Sequence, residues 1–581
     1  MTSPFVLFDD ARPGGKALLY TDPVEIVEAW HPGEVLPALD RLAGERRHLA
    51  GFMSYEAGLA LEPRLAPLAT PASDLPLLWF GLFDSSRPVR AEDILPDPAG
   101  GWSGPPRPSI PRATHEQRVE AAIAHILAGD IYQANITFPG QVPVAGNPLA
   151  LYAGLRQRQQ AGHCALLWTG SHWVLSLSPE LFFEVDERRV TTRPMKGTAS
   201  RLPHPAEDAA AAAALAADPK QRAENLMIVD LLRNDLSRLA VPGSVSVPDL
   251  WTVETYPTVH QMTSTVTAQM EEGVTAIDLL RTIFPCGSVT GAPKIRAMEI
   301  IHGLESGPRG LYCGAIGWVA PQGRARFNVA IRTLTWREGE DAARLGLGSG
   351  VVADSQPGQE WAECVSKGAF VEDRQRRFDL IETMRFDPEE GLIGLDHHLA
   401  RLRTSAEALG FAFDRHNARN ELQAATFGAG PCKVRLLLAR SGAVAVELRP
   451  LAAMAAPLSV TLAQRPVSAD DFRLRHKTTD RAFYDSPRVE AGTDEVLFTD
   501  EQGFLTEGSF TNIFVERDGR LLTPPAARGL FPGILRQTLL EEGRACEADL
   551  RPSDLASGFL LGNAVRGLLP ARLEACRSTA A

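Results

Sequence analysis

The stretch VEDRQRRF, residues 371–378, constrains this chain most, because strands and helices run in one order before it and the pattern restarts after it with a new strand, helix and hairpins. At 581 residues the chain exceeds what one hydrophobic core organises, so the restart predicts a second folding unit. Residues 92–113, EDILPDPAGGWSGPPRPSIPRA, hold too many prolines and glycines for a helix or strand and predict a linker or long surface loop. The expected class is α+β: a β-rich N-terminal region over 1–110, a main domain over 111–372, and a smaller α/β domain over 376–581.

The hydrophobic share is 44%, and no apolar run approaches the roughly 20 residues that a membrane helix needs, so no membrane span is expected. A net charge of −12 with no Lys/Arg cluster argues against nucleic acid as a partner. The start, MTSPFVLFDDARPGG, lacks the basic and apolar regions of a secretory signal, which predicts a cytoplasmic protein. Seven cysteines (164, 286, 313, 364, 432, 546, 576) form no CxxC pair and no zinc spacing, and read as reduced core thiols.

Several stretches carry polar residues in patterns that chemistry uses. In TRPMKGTASR (192–201), Pro194 and Gly197 predict a turn that projects Lys196; a lysine so placed is either a solvated charge or a nucleophile. Thr114 and Gln117 predict a capping box at the start of a helix ending near Gly129. Residues 206–239 read as helix broken at Asp218-Pro219, with Glu224 and Asp235 at the acidic edge of an apolar stripe. FPCGSVTGAPKIRAMEII (284–301) is a Gly-rich turn feeding a helix, suited to an anion or to a plain strand-to-helix turn, and it lacks the Walker spacing. A hairpin through FNVAIRT is expected to place Arg332 on a strand, and Glu360 and Glu363 in QEWAECVSKG stand one helical turn apart, facing a divalent cation or solvent.

Taken together, SPELFF, RPMKGTASR, AENLMIVDLLRND, GSVTGAPK, CGAIG, FNVAIRT, GSGVVADS and the ExxE helix resemble, in family order, the chorismate-binding enzymes, and within them the aminodeoxychorismate synthase branch. The resemblance implies a fold of β-sheets packed with outer helices, chorismate as substrate, and Mg²⁺ held by Glu224 and Glu363 with Glu360 adjoining. It implies Glu180 as the general acid, His260 as a residue flanking the ring, and a substrate pocket built from Thr290, Gly291, Tyr312, Arg332, Gly348, Ser349 and Gly350. Lys196 discriminates between branches: the anthranilate synthases carry a small residue there, whereas the para-aminobenzoate branch carries a lysine that bonds covalently to the ring and directs nitrogen to C4. No Gly-x-Cys-x-Gly elbow is present, so a separate glutamine amidotransferase subunit is the implied ammonia source.

After the break, Asp396 is expected to cap a helix closed by Gly410, and a hairpin is expected to turn at Ser441-Gly442. HLARL (398–402), HKTTDRAFYD (476–485) and FLTEGSFTNIFV (504–515) together resemble the class IV aminotransferases, most closely the aminodeoxychorismate lyases. That resemblance implies pyridoxal 5'-phosphate held covalently by Lys477, Glu507 on the pyridine nitrogen, and Arg401, Gly533, Ile534, Leu535 and Asn563 around the phosphate. It also implies a homodimer through this domain. The joint expectation is amination of chorismate to 4-amino-4-deoxychorismate, then elimination of pyruvate to para-aminobenzoate for folate. The alternative is anthranilate synthase activity joined to an amino-acid aminotransferase or a non-catalytic dimerisation domain.

Overall fold

A computed structural model describes residues 3–72, 74–256 and 259–574. The chain divides into two compact units. The first takes the residues up to Leu95, Pro105–Val142 and Tyr152–Arg374; the second takes 96–104, 143–151 and everything from Gln375.

Two large sheets form the first unit, and in each the N-terminal strands lie together at one end beside the later ones. In one, Phe5–Asp9 pairs antiparallel with His163–Trp168 and with Ala17–Thr21. In the other, His48–Met53 pairs with Ala315–Val319 and with Leu78–Phe83. The N-terminal strands from Phe5 to Phe83 therefore share sheets and core with the main domain. Between the sheets lie Val6, Tyr20, Phe52, Trp79, Phe83 and Ile316, all at most 1% exposed, which removes water from both inner faces at once.

The strand Val259–Gln269 sits near one edge of the second sheet and pairs with Met195–Ser200. Its register jumps between Met195 and Thr198, so three steps on one strand oppose two on the other: a β-bulge. Gly197 has φ +92° there, a value that glycine alone adopts cheaply. Lys196 thus projects from a bulged strand rather than from the expected turn, because the long-range pairing with Val259–Gln269 captures the segment. Across it packs the helix Pro219–Ser237, separated from Pro205–Ala217 at Asp218, whose carboxylate accepts from the N–H groups of Lys220 and Gln221. The expected capping box at Thr114 is not a cap: the helix Arg112–Leu127 starts after Pro111, and Thr114 lies inside its first turn.

In the second unit, a four-stranded antiparallel sheet carries Leu380–Asp387 between Gly391–Leu392 and Cys432–Leu438. An eight-stranded mixed sheet orders Leu505–Gly508, Glu495–Thr499, Leu458–Gln464, Gly567–Leu573, Phe559–Asn563 and Asn512–Arg517 before its last two strands. The helix Leu395–Leu409 ends at Gly410 in the left-handed region, but its cap is Gly394; Asp396 instead pairs with Arg415 at 2.8 Å. The hairpin turns at Ser441-Gly442. Residues 96–104 fall in this unit rather than in a solvated linker, because Trp102, 2% exposed, packs in its core with Leu380, Leu399 and Phe472. No described helix is long and apolar enough to cross a membrane. The six described cysteines are free, and Cys576 lies outside the described residues.

Asp218→Ala should lower stability by about 1 kcal/mol through loss of the cap, read as a lower denaturant midpoint, while Asp218→Asn should retain most of it.

Candidate active sites

Lys196 is half-buried, with its amine in a closed setting. A Cβ built on Gly350 would lie 2.6 Å from Lys196 Nζ and 3.5 Å from Gln133 Nε2, so only glycine leaves room for the amine. Burial pulls the amine's pKa below its ordinary value and the Lys367 charge adds to this, while Glu224, Glu363 and Glu180 oppose it. Glu180, 4% exposed, accepts a 2.7 Å hydrogen bond from Ser288 Oγ. Burial pushes its pKa up to about 7, with Ser288 and Lys196 restraining the rise. An amine held toward its neutral form thus adjoins a carboxyl held toward its protonated form, the pairing a nucleophile and a general acid need.

Glu224, half-buried on Pro219–Ser237, has its pKa raised by burial, against the pull of Lys196 and Lys220; the charge of Glu363 raises it further. Glu363 pairs with Lys367 at 2.6 Å, and Glu360 Oε2 is buried without a partner among the described residues. No cluster of three or more His, Cys, Asp or Glu among the described residues stands ready to hold a metal alone. Two carboxylates and one orphaned oxygen nevertheless fit Mg²⁺, which keeps water and substrate in most of its coordination sphere.

The remaining expected residues divide. A Cβ on Gly348 would lie 3.1 Å from Tyr312 Oη, and the Gly348 carbonyl accepts from Lys367 Nζ at 3.1 Å, so Gly348, Ser349, Gly350 and Tyr312 adjoin the cluster. Thr290 is fully buried with its hydroxyl donating to Cys286 O and Gly287 O, which makes it a brace of the turn; Gly291 pairs with Ala134 beside Gln133. Arg332 is not on a strand: it joins Ala325–Val329 to Thr333–Arg337 with φ +50° and bonds Gln159 Oε1 at 3.2 Å. His260 uses both ring nitrogens, toward Thr255 Oγ1 at 3.0 Å and Asp208 Oδ1 at 2.9 Å, partners that Lys196 and Glu180 do not share.

In the second unit, a cavity of about 550 Å³ is lined by Arg401, Lys477, Glu507, Gly533, Ile534 and Asn563 among others. Burial pushes the Lys477 amine down to about 7, with Arg401, Arg481 and Arg435 adding to this and Glu382 opposing. Glu507, 3% exposed, accepts from Tyr484 Oη and from Phe531 N at 2.9 Å; burial raises it to about 8. Gly533 caps the helix Ile534–Glu541, so free N–H groups start at the cavity wall, a natural phosphate seat. Leu535 packs its side chain into the core around Phe514, leaving only its backbone for a ligand. Asn563 is held by Phe510 O and by the N–H groups of Val565 and Arg566. A cationic cavity lined by a lysine, a buried acid and a helix start fits pyridoxal phosphate.

Residues 5–373, well over half of the chain, match the family described as chorismate binding enzyme. The chain belongs to the chorismate-binding enzymes. Its residues 379–573 match the amino-transferase class IV family. Aminodeoxychorismate synthase component 1 of Escherichia coli (strain K12) is 44% identical over 259 residues, covering 45% of this chain and 57% of that protein. Anthranilate synthase component 1 of Streptomyces coelicolor is 40% identical over 294 residues, covering 50% of this chain and 56% of that protein. This chorismate-binding enzyme thus spans less than two thirds of the length of either relative. Among solved structures, anthranilate synthase component I from Streptococcus pneumoniae TIGR4 superposes with a TM-score of 0.53 at 26% identity, over 61% of this chain and 92% of that one.

Sequence reasoning missed Ser288, Lys367, Gln133, Glu382 and Tyr484. Lys367 lies four residues after Glu363 on one helix, a spacing that marks an ion pair. Ser288 stands inside a motif read for its glycines. Gln133 is fully buried with neither amide atom partnered among the described residues, and no local pattern announces it.

The raised Glu180 predicts a pH signature. Because its pKa goes from 4.5 unfolded to about 7 folded, the stability it contributes is full at low pH and lost as pH rises through about 7. Glu180→Gln should match the wild type below about pH 4 and exceed it near pH 8.5 by up to about 3 kcal/mol in denaturant unfolding.

Proposed function

We propose that the chain makes para-aminobenzoate from chorismate in two steps, one per unit. The observation that carries the first is the Lys196 amine enclosed beside Gly350, with Glu180, Glu224 and Glu363 acting on its charge. Lys196 Nζ bonds to the ring as the 4-hydroxyl leaves, and Glu180 supplies the proton that lets it depart as water. Ammonia then bonds at C4 as the bond to Lys196 breaks, and the Glu180 carboxylate takes the extra proton from the new ammonium. Glu180 is thereby restored, and chorismate and ammonia have become 4-amino-4-deoxychorismate and water. Glu224 and Glu363, with Glu360 beside them, would hold Mg²⁺, which neutralises a substrate carboxylate. Ammonia comes from a separate glutamine amidotransferase, a reading that the "component 1" in the relatives' names supports.

In the second unit, pyridoxal phosphate supplies an electron sink when bound. Lys477 would hold it, Glu507 would pair with its ring nitrogen, and Arg401 with the Gly533–Leu535 backbone would take the phosphate. Once the substrate's nitrogen has taken its place and freed its amine, Lys477 removes the C4 proton as the enolpyruvyl C–O bond breaks and returns a proton to the departing carbon, so pyruvate leaves and the ring becomes aromatic. The alternative, anthranilate formation in the first unit, draws support from the anthranilate synthase relatives; Lys196 weighs against it.

Lys196→Ala should lower 4-amino-4-deoxychorismate formation from chorismate and ammonium at least about a hundredfold in initial-rate assays; an unchanged rate removes the covalent role. Lys477→Ala should lose the absorbance band of lysine-bound cofactor together with pyruvate release.

A further inference from the structure

Glu382 lies on the strand Leu380–Asp387, 1% exposed, outside the residues so far given a role. Its carboxylate takes His398 Nδ1 at 2.6 Å, Arg401 Nε at 2.8 Å and the Arg401 Nη2 at 2.6 Å. A buried carboxylate with a bidentate guanidinium stays ionised, and its pKa is held below the ordinary range: burial alone would raise it, but Arg401 and His398 outweigh that.

Arg401 is fixed from three sides. Besides Glu382, its Nη1 donates to Pro532 O at 2.8 Å, and its plane lies 4.6 Å from the Phe531 ring centre. A guanidinium has five N–H groups, so three are used and two remain, at the cavity wall where the helix Ile534–Glu541 begins. Next to Glu382 on the strand, the Ile381 N–H donates to the Lys477 carbonyl at 2.9 Å, and the Lys477 amine has Glu382 as the carboxylate opposing the like charges of Arg401, Arg481 and Arg435. A hydrophobic isostere of the Glu382–Arg401 pair would often be as stable, so stability alone does not account for the arrangement.

We propose that Glu382 is a positioning residue of this cavity: it holds Arg401 with two N–H groups turned to an anionic ligand and supplies the negative charge beside the Lys477 amine. This rests on reading the cavity as a cofactor site, but the test does not need the cofactor. In the full chain with ¹³C-methylated lysines, the Lys477 resonance, assigned by its loss in Lys477→Arg, is titrated with pH. Glu382, Arg401, Arg481 and Arg435 act most on that amine, and Glu507, Asp485, Lys433, Arg449, Arg488 and Arg566 also line the cavity. Glu382 is the charge that acts most on the Lys477 amine, so Glu382→Gln should move the midpoint down by about one pH unit, and Glu382→Asp, which retracts the charge, should move it part of the way.

A midpoint unchanged in both variants, or raised, overturns the proposal. If Glu382→Gln does not fold, Glu382→Asp decides alone: a lowered midpoint supports the role and an unchanged one overturns it. A wild-type chain that takes up no pyridoxal phosphate overturns the cofactor reading instead, and the titration still decides about Glu382.

Discussion

Keeping the Lys196 amine and the Glu180 carboxyl out of water is the constraint on which the larger unit depends. Charged groups in such a place are costly, and each is tolerated because its neighbours restrain the charge. Both sheets and one helix are needed to do this. The bulge at Gly197 aims the lysine, Gly350 leaves room for its amine, Ser288 reaches Glu180 from the turn after Pro285, and Pro219–Ser237 brings Glu224. A buried ion pair, Lys294 Nζ to Asp235 Oδ2 at 2.6 Å, fastens that helix to the segment after the turn.

The smaller unit meets the same requirement with different parts. Lys477 is pushed down and Glu507 pushed up, each by burial, and the two meet through Phe531, whose N–H serves Glu507 and whose ring lies 6.0 Å from Lys477 Nζ. Each unit thus holds a lysine whose pKa is lowered and a carboxyl whose pKa is raised. In both, the pair follows from desolvation, with nearby charges deciding how far each group moves.

The sequence showed the existence of both units, the helix break at Asp218, the hairpin at Ser441-Gly442 and the motifs around Lys196, because these rest on local signals: proline, glycine, capping residues and spacing. It misread what depends on distant pairing. Lys196 was expected on a turn, since nothing local shows that Val259–Gln269 captures the segment. Trp102 sat in a stretch whose prolines suggested solvent, and its burial follows from partners such as Leu380 and Phe472, far along the chain. Glu382 was invisible for the same reason, because its partners His398 and Arg401 lie on a helix that comes back over the strand.

The central claim is that Lys196 directs nitrogen to C4 of the ring and that the second unit consumes the product. The most direct measurement is the identity of the aromatic compound formed by the wild-type chain from chorismate and ammonium with Mg²⁺ and pyridoxal phosphate present, separated chromatographically and identified by mass and absorbance. Para-aminobenzoate with an equal amount of pyruvate is the predicted result. Anthranilate as the product would contradict it.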